Sequence, residues 1–162
     1  MTTSQLARDV RNEHWNINGR VRFPIDPFVI AQRLNIEVII TPLPSDTAGF
    51  LLKEEGESTV RAYLNSADHP RRQRFTLAHE IGHFMRHRDD GPMGYVEERA
   101  ALASQGTDPE ERFANRFAAD LLMPAHIVAK DWGMGKSLSD MATKYNVSKQ
   151  SLEFRLANLG LK

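Results

Sequence analysis

The chain has 162 residues, with 21 Lys and Arg against 21 Asp and Glu, no cysteine and no apolar run long enough to span a membrane. That length makes one compact domain with a real core and at most a small appendage, and the zero net charge excludes a global field toward nucleic acid or an anionic membrane. The missing cysteines exclude disulfides, thiolate metal sites and cysteine nucleophiles, and a start without the apolar core of a signal peptide points to the cytoplasm.

The segment up to Gly19 is polar, with Leu6, Val10 and Trp15 at loosely helical spacing. Asp26 then caps a helix that has Pro27 in its first position and Phe28, Ile30, Ala31 and Leu34 along an apolar side, ending near Asn35. Three β-branched or apolar runs follow, Ile36 to Ile40, Gly49 to Leu52 and Thr59 to Leu64. Pro42 and Pro44 stop the first, and the acidic turn Lys53 to Glu57 joins the other two, so a small antiparallel sheet is expected.

A turn-rich lead, Asn65 to Pro70, opens a helix that runs from Pro70 to His87 and carries His79-Glu80-Ile81-Gly82-His83. Histidines four residues apart share one helix face, where both imidazoles reach one metal ion. Zinc suits such a pair: a catalytic zinc takes three protein ligands and leaves a position for water, and a Glu directly after the first His is placed to act as general base. Glu80 fills that place, which makes peptide hydrolysis the expected reaction. Phe75, Leu77, Ala78, Ile81 and Phe84 mark the helix as buried, and a buried imidazole needs partners for both nitrogens. Arg71, Arg72 and Arg74 at its start are expected on a solvated face or against a carboxylate.

His87 continues the four-residue spacing, yet it lies about 12 Å from His79 along a straight helix and cannot share its metal. It is left beside the ligands, facing substrate, or as a plain surface histidine. Met93 to Thr107 is of mixed composition, with a short helix expected around Glu97 to Ser104. The next strong helix has Asp108 as cap, Pro109 first and Pro124 as its stop. Glu111, Ala114, Asn115 and Ala118 line one side of it, small enough to let it approach the Ala78 and Gly82 side of the first helix. Spacing leaves two readings of Glu111 evenly matched: third metal ligand, or partner of Asp108 in a capping box, with Glu110, Glu97 and Glu98 as rival ligands. Asn115 is placed to hydrogen-bond a ligand or simply to pack. Tyr63, Tyr95, His87 and His126 are all candidates to stabilise an oxyanion.

From Ser137 to Gly160 two capped helices flank a tight turn, with Ala142, Asn146 and Val147 where helix-turn-helix motifs place Ala, Gly and an apolar residue. Lys149 and Gln150 would face outward for DNA or a partner. Residues 136–162 hold only five Lys and Arg against two acids, so a packing module or a platform for a substrate protein is favoured over DNA.

Arg74 to His83 followed by Glu111 to Pro124 resembles the ImmA/IrrE family of zinc metallopeptidases, and Pro27 to Ile36 and the strand ending at Leu64-Asn65 also fit. The resemblance implies an α+β, zincin-like metallopeptidase domain over 1–135, with a small antiparallel sheet, an active-site helix, a second ligand-bearing helix, and helix-turn-helix-like C-terminal helices over 136–162 packed on it. It implies one Zn2+ per chain on His79, His83 and Glu111, with Glu80 as catalytic base, in a cytoplasmic protease that cleaves a helix-turn-helix repressor and so derepresses genes. Asn35 stands where the family usually has Gly. The alternative is a non-proteolytic DNA- or protein-binding regulator, or a toxin–antitoxin component, with a structural metal; against it, a structural zinc usually closes with a fourth protein ligand, and none is evident.

Overall fold

The structure, a computed structural model, describes residues 1–54, 56–88 and 108–162, and the backbone of 96–99. It is α+β. Helix α1 (Thr3–His14) starts at a capping box in which Thr2 and Gln5 each satisfy the other's backbone N–H, and it buries Ala7, Val10 and Arg11. Helix α2 (Pro27–Arg33) is capped by Asp26, whose carboxylate accepts from the Phe28 N–H at 2.9 Å. The chain leaves it through Asn35 at φ +60°, a left-handed turn that Asn tolerates in place of Gly.

Strands β1 (Ile36–Thr41), β2 (Gly49–Leu52), β3 (Val60–Asn65) and β4 (Val96–Arg99) form one sheet in the order β1-β3-β2-β4. The β2–β3 hairpin is antiparallel, as expected, but β1 runs parallel to β3, so the sheet is mixed rather than antiparallel. The cause lies in the loop after β1, which crosses the end of β3 before the chain descends as β2. Asn65 holds that crossing: its N–H donates to Ala48 O at 2.9 Å, and its side-chain amide donates to Thr47 O at 2.9 Å and Pro44 O at 3.2 Å. The helix expected from Glu97 is instead strand over Val96–Arg99, which pairs antiparallel with β2 and occupies the edge that β3 leaves open. The rest of that expected helix, 100–104, lies outside the described residues.

Alternate residues of β3, Val60, Ala62 and Leu64, are buried together with Leu51 of β2. They join Leu77 and Ile81 of helix α3 (Pro70–His87) in the core. Gly49 permits a close approach of sheet and helix, since a Cβ there would meet Thr76 Cγ2 at 2.8 Å. Behind α3 packs helix α4 (Pro109–Leu122), capped by Asp108 through the Glu110 N–H at 2.8 Å.

Helix α5 (Ala125–Gly133) begins immediately after Pro124 and was not legible as a separate element in the sequence. Helices α6 (Leu138–Tyr145) and α7 (Lys149–Asn158) are capped by Ser137 and Ser148, with Asn146 in the left-handed region at φ +53° between them. Asp131 of α5 ties the pair down, accepting from Lys144 Nζ at 2.8 Å, Lys136 Nζ at 3.0 Å and the Tyr145 hydroxyl. Burial alone would raise the Asp131 carboxyl, but the hydrogen bonds from Lys144, Tyr145 and Lys136 outweigh it and hold the group at about 2. Burial, then the bond to Asp131, pushes the Tyr145 phenol upward. Among the described residues no helix is long and apolar enough to cross a membrane.

Candidate metal centre

Helices α3 and α4 touch at Gly82, where a Cβ would lie 3.0 Å from Phe117 Cδ1 and 3.3 Å from Ala114 Cα. This contact brings the Glu111 carboxylate to the histidine face of α3. His79 Nε2 and His83 Nε2 are 3.1 Å apart, His79 Nε2 is 3.3 Å from Glu111 Oε2, and His83 Nε2 is 2.9 Å from Glu111 Oε1. Both histidines are wholly buried, and Glu111 is 3% exposed. Three buried donor atoms drawn together form a set that a divalent cation accepts: two imidazole nitrogens and one carboxylate oxygen.

The hydrogen bonding of His79 agrees with that role. Its Nδ1 lies 2.7 Å from Asn115 Oδ1 on α4, and an amide oxygen can only accept, so Nδ1 carries the proton. Nε2 therefore turns its lone pair toward Glu111 and His83. Glu80, next in the helix after His79, is fully buried as well.

Glu110 and Glu111 are neighbours in sequence but about 100° apart around the helix. Glu110 turns outward, with Oε1 3.3 Å from Arg86 Nε and Oε2 2.9 Å from His87 Nε2. His87 thus belongs to a second group, with His83 and Glu110, at the border of the first. Among the rival ligands and oxyanion candidates, Tyr95 lies outside the described residues, and of Glu97 and Glu98 only the strand backbone is described. Tyr63 stacks on Phe50 with ring centroids 4.8 Å apart, and His126 is exposed in a cleft between α1 and α5.

The three arginines at the start of α3 divide. Arg72 meets a carboxylate, Asp68, at 3.4 Å, and Arg71 donates to Asn146 Oδ1 at 3.2 Å. Arg74, expected on the surface, is instead buried beneath the α6–α7 turn and donates to Asn146 O and Ile25 O. Burial lowers its guanidinium from the ordinary value. Only the position of Arg74, one turn before Ala78 on the buried side of α3, could have signalled this. Lys149 and Gln150 are exposed at the start of α7, where they line a groove shared with α3 and α4.

Comparison with known proteins gives the arrangement its context. The radiation response metalloprotease IrrE of Deinococcus radiodurans is 37% identical over 100 residues, covering 57% of this chain and 29% of that protein. The protein of the same description from Deinococcus deserti is 35% identical over 101 residues, 58% of this chain and 34% of that one, so the match spans about a third of either relative. An uncharacterized immunity region protein of Bacillus phage phi105 is 29% identical over 125 residues, 75% of this chain and 73% of the phage protein. In three dimensions a Mycobacterium tuberculosis transcriptional regulator superposes with a TM-score of 0.61 at 14% identity, covering 96% of this chain and 55% of that one, which is a likeness of fold. Residues 31–157, most of the sequence and both helices of the metal group, match the IrrE N-terminal-like domain. The chain therefore belongs to the Peptidase_M78 family, the ImmA/IrrE metallopeptidases.

Proposed function

We propose that this chain is a zinc-dependent endopeptidase that hydrolyses a regulatory protein in the cytoplasm, with a helix-turn-helix repressor as substrate. The observation that carries the proposal is the buried convergence of His79 Nε2, His83 Nε2 and the Glu111 carboxylate beside Glu80. Bonds of about 2.0–2.1 Å in a tetrahedron put donor atoms about 3.3–3.4 Å apart. The separations of 2.9 to 3.3 Å come within a few tenths of that. Two nitrogens and one carboxylate favour zinc over the all-oxygen environments of calcium and magnesium. When bound, the ion supplies Lewis acidity to water and to the substrate carbonyl. Glu80 takes the proton of the attacking water as the C–O bond forms, and returns a proton to the amine nitrogen as the C–N bond breaks. Asn115 keeps the His79 proton on Nδ1 throughout, which fixes the orientation of that ring. The likeness to a phage immunity region protein supports a regulatory substrate, and the likeness to radiation response metalloproteases supports proteolysis.

The test is incubation with the helix-turn-helix repressor encoded beside this gene, followed by gel and mass spectrometry. Glu80→Gln should retain one zinc per chain and lose hydrolysis by at least about 100-fold, because an amide does not accept the proton. A variant as active as the parent would remove Glu80 from the chemistry, and a chain that binds zinc without cutting any repressor would favour the non-proteolytic regulator.

A further inference from the structure

The first turns of α3, one side of α4 and α7 along its length line a groove of about 920 Å³. Asn115, which bonds His79, is among its lining residues, whereas His79, Glu80, His83 and Glu111 are not. The chain as a whole is neutral, yet Arg71, Arg72, Arg112, Arg116 and Lys149 all line this one surface, Arg72 with Asp68 at 3.4 Å beside it. Asp120 is the acid among the described lining residues, and it is already engaged, 2.8 Å from Arg155 Nη2 and accepting from the Thr3 hydroxyl at 2.6 Å. The floor is apolar, with Phe75, Ala119 and Met123, and Phe154 stands at the rim 57% exposed. A large apolar side chain left in water beside a concentration of cations is the complement of a partner that is apolar on one face and acidic on the other.

We infer that this groove is a docking site for an acidic amphipathic helix of the substrate protein, separate from the residues that act on the peptide bond. The inference rests on the reading of the chain as a peptidase with a protein substrate. Two features favour a protein segment over nucleic acid. The walls are helices, and the channel between helices is the setting in which an amphipathic helix lays down residues at i, i+3, i+4 and i+7. The floor offers Met and Ala beside one half-buried Phe, which suit inserted aliphatic side chains better than the flat stacking platforms that bases require. Electrostatic complementarity in such a site chiefly sets which partner is accepted and how fast it arrives.

The experiment uses the full chain carrying Glu80→Gln, loaded with zinc, so that binding is read without cleavage. The probe is a fluorescein-labelled helical peptide of about 16 residues with Leu along one face and Glu along the other, and its counterpart with Lys in place of Glu. Anisotropy should show the acidic peptide binding at least about tenfold more tightly than the Lys peptide, with the difference shrinking as salt rises. Arg116→Glu with Lys149→Glu should weaken the acidic peptide at least about tenfold. The same charge change at Arg20 and Lys130, exposed and away from the groove, should leave it unaltered. Arg116→Gln with Lys149→Gln should give an intermediate loss, and thermal unfolding of each variant separates lost binding from lost fold. Equal binding of the two peptides, or equal loss from the two charge-reversed pairs, would overturn the inference. Tighter binding of a labelled single-stranded oligonucleotide, sensitive to the same pair, would overturn it in favour of nucleic acid. Because the readout is binding by an inactive chain, failure to cleave a repressor leaves this result standing, and repressor cleavage without selective docking sinks only the groove.

Discussion

Asn115 shows how much of the centre depends on a residue that gives the metal group no donor atom of its own. Its carbonyl oxygen fixes the proton on His79 Nδ1. Asn115→Ala should lower zinc affinity by about 10–100-fold while Glu111→Ala lowers it further, and titration with a zinc-responsive dye checks both. The motif His79-Glu80-x-x-His83 was legible because helical periodicity alone puts two imidazoles on one face. Glu111 was legible only as one of several carboxylates, since its alternative use in a capping box has the same spacing. What separates it from Glu110 is rotation about α4, which requires knowing which side of α4 faces α3. Arg74 escaped because an arginine near a helix start ordinarily reads as solvated, and nothing local to it announces that Ile25 O and Asn146 O will be brought within its reach.

The pairing of whole elements sets how well the centre is made. Where α3 and α4 cross, Gly82 occupies a position at which even a methyl group meets Phe117 and the Ala114 backbone. Gly82→Ala gains about 1 kcal/mol of helix propensity but overpacks the crossing by about 1–3 kcal/mol, and it moves Glu111 away from the histidines. Zinc affinity should therefore fall more than stability does, as paired calorimetry and metal titration would show. The helices were readable in sequence from their caps, Asp26, Asp108, Ser137 and Ser148. The sheet was less so, because the parallel pairing of β1 with β3 depends on the loop crossing that Asn65 secures and not on any alternation within the strands. Helix α5, between the Pro124 stop and Ser137, went unread because no side chain caps its start. Its Asp131 has an ordinary value of 3.8 and a folded value near 2, so it contributes about 2 kcal/mol above pH 4, and this is lost as pH falls toward 2. Urea titrations of Asp131→Asn should show a constant deficit from neutral pH to about 5, closing as pH drops below 4.

At the level of the molecule, metal and fold are linked. A site drawn from two helices exists only in the folded chain, so a bound ion stabilises by mass action, about 4 kcal/mol at a free concentration 1,000-fold above its dissociation constant. Removal by a chelator should lower the melting temperature by several degrees, restored on adding zinc, and Glu111→Ala should show little of this response. The sequence's charge balance gave no hint of the cationic groove, because the six basic side chains lining it come from three helices that are distant in sequence. Asp120 of α4 joins the same distances. Its carboxylate accepts from Thr3 and pairs with Arg155, while its carbonyl accepts from Arg11 at 2.7 Å, and burial lowers the Arg11 guanidinium to about 10. A ribosome releases Thr3 well before Asp120 and Arg155 well after it. The helix that carries Glu111 thus waits for α7 to emerge before its ion pair can form, and the metal group is held by a helix that is secured late.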